Sequence, residues 1–564
     1  MPALLILSLL AAVTAFAVAD RPSFVFIHAE SLDGRLLRPD SLAAIPNIRS
    51  LLAGGSVRFD TTYANSPVCA PSRSSMHSGR APHKILHEHN GMTVRGVWNN
   101  YEGLPTNYST RLDQLLNESG YATAVFGKTD WTVGGHSLDN RLEAITFNVL
   151  WPYNISADGG WNQEPGSDMC ASDGPVFKGG SAGSAGSPFF DDWRNINASA
   201  EYMTSAPRPF YTFIGIEDIL HPAYRTSEFW YDRASNESTV PVWPSLEELH
   251  PCDLQTVMKR GCSPNDENNA TVHRDFYDPE RIKHVRRVYL AEVEELDAMV
   301  GTLLDALRDS NRWDSNMYIV FAADHGDMQL EHQMFYKMVP YDGSSRVPLI
   351  IASPALARLG EKTVTQPTQL LDIFPTVLTM AGVPVPQYAD GFDLTPFFEQ
   401  GIDRDQTRPP FVVFQNADAD LSMSWVAAVN GSHKLVQYGT GTEVLPQLFN
   451  LDADPGEMVN LANSSDAVAR AAVAALDDAI RSVIDYPVVA QDIAEYQLAQ
   501  FKYFVNTTKN WQTVIASSSR RWAEAFDAHG DLALAAVESY LNQTGPAAIV
   551  PCDGRLVGGN LARK

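Results

Sequence analysis

The chain has 564 residues, 45% of them hydrophobic and 19% charged, the balance of a soluble globular protein with room for roughly two to four domains. Its formal net charge of −25 excludes a nucleic-acid binder, which needs basic surface to displace counterions. The same charge requires any anionic ligand to be met by a local group of cations against an unfavourable global field.

Residues 2–19 are almost wholly apolar and end in Ala17-Val18-Ala19 before Asp20, the small-x-small pattern of a signal peptide over residues 1–19. No later run is long and apolar enough to span a bilayer, so no stable membrane insertion is expected. Ten Asn-x-Ser/Thr sequons, at Asn107, Asn117, Asn154, Asn197, Asn236, Asn269, Asn430, Asn463, Asn506 and Asn542, read as surface positions of a chain that passes through the secretory pathway.

Four apolar runs each end in polar residues: Ser23–Ile27 before His28-Ala29-Glu30-Ser31, Tyr121–Phe126 before Gly127-Lys128, Phe210–Gly215 before Glu217 and His221, and Met317–Ala323 before Asp324-His325-Gly326. Continuous apolar runs are strands buried on both faces. Polar residues at their C-terminal ends stand where α/β folds place their sites. Helical spacing appears over Arg111–Gly120 and over Tyr289–Leu307, and strands alternating with helices predict an α/β domain over 20–400 with a mostly parallel central sheet sandwiched by helices. Within the second helix, Glu292, Glu294 and Glu295 read as a solvated face, and Ser72 and Ser74 as caps of a following helix. Gly179–Pro188 reads as a flexible Gly/Ser/Ala insertion, and Glu237–Asp278 as a long ordered loop. After about Gln400, Pro410–Gln415, Trp425–Ala428 and Lys434–Tyr438 predict a smaller sheet, and Asp466–Ile484 an Ala-rich helix, in a C-terminal subdomain over 401–564. Asp454-Pro455-Gly456 is a structural turn.

The cysteines are Cys69, Cys170, Cys252, Cys262 and Cys552. If Cys69 is chemically converted, four remain for two disulfides in an oxidising compartment, with Cys252–Cys262 closing a small loop and Cys170–Cys552 as the remainder. No CxxC spacing supports zinc.

Cys69-Ala70-Pro71-Ser72-Arg73 followed by Asp324-His325-Gly326 resembles the sulfatase family of the alkaline-phosphatase superfamily. Ser31–Leu36, Asn65–Cys69, Glu331–Met338, Leu445–Phe449 and Ile484–Pro487 extend the likeness over nearly the whole mature chain, towards a branch that degrades glycosaminoglycans. The resemblance implies an alkaline-phosphatase-like sandwich with a small antiparallel C-terminal sheet. It implies that a formylglycine-generating enzyme converts Cys69 to formylglycine, whose hydrate attacks sulfur, and that one calcium ion is held by Glu30, residue 69, Asp324 and His325. Arg73, Lys128 and Lys337 would bind the sulfate, and His221 would protonate the departing alcohol. The substrate implied is a sulfated sugar or glycosaminoglycan, specifically a terminal 2-O-sulfated glucuronate, handled in a lysosome or outside the cell. Two positions depart from the family's pattern. Glu30-Ser31 stands where paired aspartates are common, which leaves Asp33 as a second candidate ligand. Asp130 stands where a Gly-Lys-x-His motif has its histidine, which leaves either Asp130 or His136 as base, with His136 favoured. Other readings of the same residues are another glycan or aryl-sulfate sulfatase, a phosphoester or phosphonate hydrolase, and a non-catalytic binder of sulfated glycans.

Overall fold

The computed structural model describes residues 21–513, apart from 90–91, 101, 106–109, 133–173, 182, 184, 223, 246–247, 260–277, 418–422 and 443. Residues 1–19, expected as a signal peptide, and His136, Cys170, Cys262 and Cys552 lie outside the described residues, and with them both expected disulfides.

A seven-stranded sheet organises the larger part of the chain. Its strands are β1 (Ser23–Ala29), β2 (Ser56–Phe59), β3 (Ala122–Gly127), β4 (Phe210–Gly215), β5 (Met317–Ala323), β6 (Leu349–Ala352) and β7 (Glu361–Val364), in the order β7-β2-β6-β5-β1-β4-β3. The four strands anticipated from apolar runs, β1, β3, β4 and β5, pair in parallel at one side of it. β6 joins β5 and β2 antiparallel, while β7 returns parallel to β2. β2, β6 and β7 have only four residues each, too few for an apolar run to stand out.

Side chains alternate across β1, and the alternation divides the core. Val25, Ile27 and Ala29 enter one apolar cluster with α1 (Pro46–Ala53), α3 (Phe190–Ser205) and the long α4 (Pro279–Asp309). Phe24 and Phe26 enter the opposite cluster with α2 (Cys69–Ser78) and α5 (Ile373–Met380). The sheet is therefore sandwiched by helices as expected.

Beyond it, β8 (Val412–Asn416), β9 (Trp425–Val429), β10 (His433–Tyr438) and β11 (Gln447–Asn450) form an antiparallel sheet in chain order. Helix α6 (Ala467–Val483) packs Leu476 and Ile480 against Val426, Leu435 and Leu448 of that sheet. Asp466 caps α6 by accepting the Ala469 N–H, which ties up one of the amides a helix start leaves unpaired.

Four readings of the sequence need correction. Glu292, Glu294 and Glu295 are buried, because α4 is covered on more than one side and these carboxylates accept bonds from the backbone of Leu220, Arg225 and Ala44 and from Ser187 and Trp193. Ser72 and Ser74 lie inside α2, which Cys69 opens, and donate to the carbonyls of Asp324 and Trp131. The Gly179–Pro188 stretch is tied down, with the Gly179 carbonyl accepting the Phe229 N–H and Ser187 bonded to Glu295. The segment read as a loop over Glu237–Asp278 contains a helix, Pro251–Lys259. Among the described residues no helix is long and apolar enough to cross a membrane.

Candidate active site

β1 and β5 are neighbours in register, with Ala29 opposite Ala323. The next residues, Glu30 and Asp324, therefore leave the sheet side by side. Helix α2 begins at Cys69 above them. Its first turns bring Arg73 between the two carboxylates, with Nε donating to Asp324 Oδ2 at 2.9 Å and Nη2 to Glu30 Oε2 at 2.8 Å. Nη1 donates to the carbonyl of Lys128 at 3.1 Å, which anchors the end of β3 to the same group. Arg73, Glu30 and Asp324 are all wholly buried. An unpaired charge at that depth costs several kcal/mol, and the fork of the guanidinium gives each carboxylate a charged partner.

The Cys69 thiol lies 3.2 Å from Glu30 Oε1 and 3.5 Å from His325 Nε2. Lys337 Nζ is 2.8 Å and Lys128 Nζ 3.8 Å from the same sulfur. Glu30, Cys69, Asp324 and His325 each offer a ligand atom, and these atoms all lie within 4.8 Å of one another. His325 donates from Nδ1 to the Gly326 carbonyl at 2.9 Å, and its Nε2 lies 2.8 Å from Lys337 Nζ. Burial opposes charge on this ring, but Asp324, residue 69 and Glu30 raise its pKa to about 9; a cation taking Nε2 as a ligand would displace the proton there and use the ring in its neutral form. Two carboxylates, one imidazole nitrogen and residue 69 thus make a donor set that suits a divalent cation.

The electrostatics follow from burial working against close charges. Burial alone would raise the Glu30 carboxyl, but Lys128 and Lys337 more than offset it and hold it well below the usual carboxylate range. Burial opposes charge on Lys337 too, yet the groups at residue 69, Tyr336 and Glu30 raise it well above the ordinary lysine value. Both lysines are ammonium groups in the folded protein.

Lys337 reaches the site from a contorted segment. Gln329, Leu330, His332, Gln333, Tyr336 and Met338 all have positive φ, a conformation side chains other than glycine seldom adopt. Trp243 donates to the Leu330 carbonyl, Arg286 to that of Gln329 and Trp425 to that of Met338, so the segment is held from three directions. Strain kept up by its surroundings is a signature of functional segments.

His221 stands at the rim, half-buried. Its Nδ1 donates to the Pro222 carbonyl at 2.8 Å, and its Nε2 lies 3.1 Å from the Tyr336 hydroxyl. Burial and then Lys337 push its pKa down to about 3. The neutral ring therefore accepts the Tyr336 hydroxyl proton. Tyr336 is the site residue that sequence reasoning missed; its one signal was its place next to Lys337. Asp130, at 3.4 Å from Lys128 Nζ, is also in the site. Asp33 is not: its carboxylate is forked by Arg35 at 3.0 and 2.7 Å. Of the residues singled out from the sequence, Glu30, Cys69, Arg73, Lys128, Asp324, His325 and Lys337 converge on one point, and His221 joins them through Tyr336.

The comparisons with known proteins define the class. The family model described as Sulfatase matches residues 22–156 and 218–383, and that described as N-sulphoglucosamine sulphohydrolase, C-terminal, matches residues 330–483. The chain belongs to the sulfatase family. Within it, the chain is similar to arylsulfatase K, the branch to which its longer stretches point. It is 30% identical to that of Bos taurus over 528 residues, covering 89% of each chain. Against that of Danio rerio it is 32% identical, covering 89% of this chain and 91% of the other. Among solved structures it superposes on the phosphonate monoester hydrolase of Agrobacterium radiobacter with a TM-score of 0.62, at 18% identity over 82% of this chain and 95% of that one. A structure described as a 2-O GAG sulfatase gives 0.57, at 21% identity over 82% and 92%. At these identities the structural matches show a shared fold. Family membership and the arylsulfatase K relatives support sulfuric ester hydrolysis as the activity.

Proposed function

We propose that this chain hydrolyses sulfate esters of glycosaminoglycans through a formylglycine made from Cys69, and that its substrate is a terminal 2-O-sulfated glucuronate. The observation that carries the mechanism is the setting of residue 69: a side chain at a helix start, buried, 2.8 Å from one ammonium and within reach of a second. A structural cysteine needs no such surroundings. A 2-O-sulfated glycan is supported by the 2-O GAG sulfatase that shares the fold. Because residue 69 is buried, a formylglycine-generating enzyme has to act on it before the chain folds. Exposed sequon asparagines at 117, 197, 236, 463 and 506 support passage through the secretory pathway to a lysosome or outside the cell. We place the boundary between the catalytic domain and the C-terminal subdomain near residue 400.

The aldehyde hydrate at position 69 supplies an oxygen nucleophile for sulfur. A calcium ion held by Glu30, Asp324, His325 and residue 69 would supply Lewis acidity to that hydrate and to a sulfate oxygen. Arg73, Lys128 and Lys337 place three fixed cations around the same point, where charge builds on the nonbridging oxygens as sulfur is attacked. Asp324, beside residue 69, takes the nucleophile's proton. His221, at the open rim, takes a proton from solvent on Nε2 when the sulfate anion arrives to favour its charged form, and gives it to the oxygen of the departing sugar, which leaves as the alcohol. For release of sulfate, His136 and Asp130 are the two candidate bases, and Asp130→Asn and His136→Ala distinguish them by which one accumulates a sulfated enzyme.

The test of substrate class is turnover of a trisaccharide ending in 2-O-sulfated glucuronate beside its desulfated and phosphate-ester analogues. The account expects sulfate release from the first, and much slower release from the phosphate ester. Faster hydrolysis of the phosphate ester would overturn it, and tight binding without release would favour a sulfated-glycan binder.

A further inference from the structure

The backbone that carries His221 belongs to neither the sheet nor a helix. It leaves β4 at Gly215 and runs through 216–225 with its amides turned into the protein. Two buried carboxylates receive them. Asp192, near the start of α3, accepts the Glu217 N–H on Oδ1 at 2.8 Å and those of Asp218 and Ile219 on Oδ2 at 3.0 and 2.9 Å. Glu292, midway along α4, accepts the Leu220 N–H on Oε2 at 3.1 Å and the Arg225 N–H on Oε1 at 2.8 Å. Four consecutive amides before His221, and one after it, are thus bound by two side chains.

We propose that Asp192 and Glu292 are positioning residues for His221, clamping the backbone of 217–225 so that the imidazole meets the departing alcohol. The inference rests on the acid role proposed for His221. Both side chains are buried and take these bonds from backbone amides. Burying a carboxylate costs several kcal/mol unless its oxygens are filled, and here backbone amides do the filling. Leu220, immediately before His221, has φ +69°. A leucine holds that conformation only when its neighbours impose it, and the Glu292 bond to its own N–H does so. The clamp is rigid because its two helices are joined: Glu295 of α4 accepts the indole N–H of Trp193 of α3 at 2.8 Å. Arg225 closes the far end, ion-paired to Asp218 and lying 4.9 Å over the Phe189 ring. With the backbone fixed from below, the Pro222 carbonyl and the Tyr336 hydroxyl then fix the ring. A catalytic group on a loop needs such support, since about 1 Å of misplacement can cost on the order of 100-fold in rate.

Asp192→Asn and Glu292→Gln keep the size of each side chain but turn one acceptor oxygen into an amide donor facing a backbone N–H. The readout is dependence on the leaving group, measured as kcat on phenyl sulfate and on para-nitrophenyl sulfate. Phenolate leaves badly and needs the proton; para-nitrophenolate leaves without it. Each variant is expected to lose about 10- to 100-fold on phenyl sulfate and less than about threefold on para-nitrophenyl sulfate, with KM little changed. Glu292→Asp, which keeps the carboxyl group but shortens the reach, should fall between, and it serves if Glu292→Gln folds poorly. His221→Ala is the control. If His221→Ala is selective for phenyl sulfate but the carboxylate variants lose both substrates equally, or lose neither, the positioning role is overturned. If His221→Ala itself loses both equally, the acid role of His221 falls, and the clamp's purpose with it.

Discussion

Two fully buried charge clusters in this molecule are built differently. At the junction with the small sheet, Lys434 Nζ contacts Asp342 Oδ1 at 2.6 Å, Glu457 Oε1 at 2.7 Å and the Pro340 carbonyl at 2.9 Å. Asp342 is further bound by Tyr63 at 2.9 Å and Arg346 at 3.1 Å. Short bonds fill that cluster, and it acts as a strut between β10 and the short helix Asp342–Ser345 before β6. In the candidate active site, Lys128 Nζ stands 3.2 Å from Glu30, 3.4 Å from Asp130 and 3.8 Å from Cys69. Those contacts lie at or beyond the long end of the hydrogen-bond range, so the ammonium gives up little when an anion arrives. The lesson is that burial and charge do not by themselves mark a site: Arg73 and Lys337 are bonded as closely as Lys434, and it is Lys128 that is held with slack.

The comparison can be broken by mutation. The largest effect expected is on chemistry. Cys69→Ala should lower sulfatase kcat by at least about four orders of magnitude while leaving the melting temperature close to that of the parent, as read by steady-state kinetics and calorimetry. Lys434→Met should do the reverse. It strands Glu457 without its cation and leaves Asp342 only Arg346, which costs about 3–5 kcal/mol of stability, while kcat per folded molecule, measured below the unfolding transition, stays near the parent value. If Lys434→Met abolished turnover in folded protein, the strut reading would be wrong. A smaller effect is expected from Tyr336→Phe. Removing the hydroxyl from His221 Nε2 should cost about tenfold in kcat on phenyl sulfate with KM unchanged, and a change confined to KM would contradict the contact's role.

The smallest effect is a pH dependence of stability in which buried carboxyls take part. Burial pushes Glu102 up to about 8, and Glu295 and Glu457 up to about 7. A carboxyl whose folded value is raised holds its proton in the folded state over a range where the unfolded chain has lost it, so stability falls as pH rises through that range. Buried histidines work the other way below about 6.5: burial lowers His77 to about 3 and His83 to about 4. Above about 6.5 the unfolded histidines are neutral as well and stop contributing. The melting temperature should therefore fall between about pH 6.5 and 8.5, and Glu102→Gln should flatten that slope. A melting temperature that rises over the same range would contradict the assignment.

Most of the candidate site was legible in the sequence. Polar residues at the ends of apolar parallel strands single out Glu30, Lys128 and Asp324, because such strands all point their C-terminal ends at one place. The register of Ala29 with Ala323 turns that tendency into contact. Glu292 was misread because a helix pattern shows which residues are polar but not how many sides are covered. Asp192 and Glu292 gain their meaning from a loop far away in sequence, and no local signal announces them. Tyr336 was hidden for another reason: its side chain reaches His221 only because the backbone from Gln329 to Met338 repeatedly takes positive φ, which the sequence there, lacking glycine, gives no hint of.

The central claim is that residue 69, a buried side chain surrounded by cations, carries the reaction as an aldehyde rather than as a thiol. The most direct measurement is the mass of the peptide containing residue 69, taken from protein that is turning over sulfate ester. The account predicts a peptide lighter than the encoded one, its sulfur and two hydrogens exchanged for one oxygen. An intact thiol at residue 69 throughout a fully active preparation would contradict it.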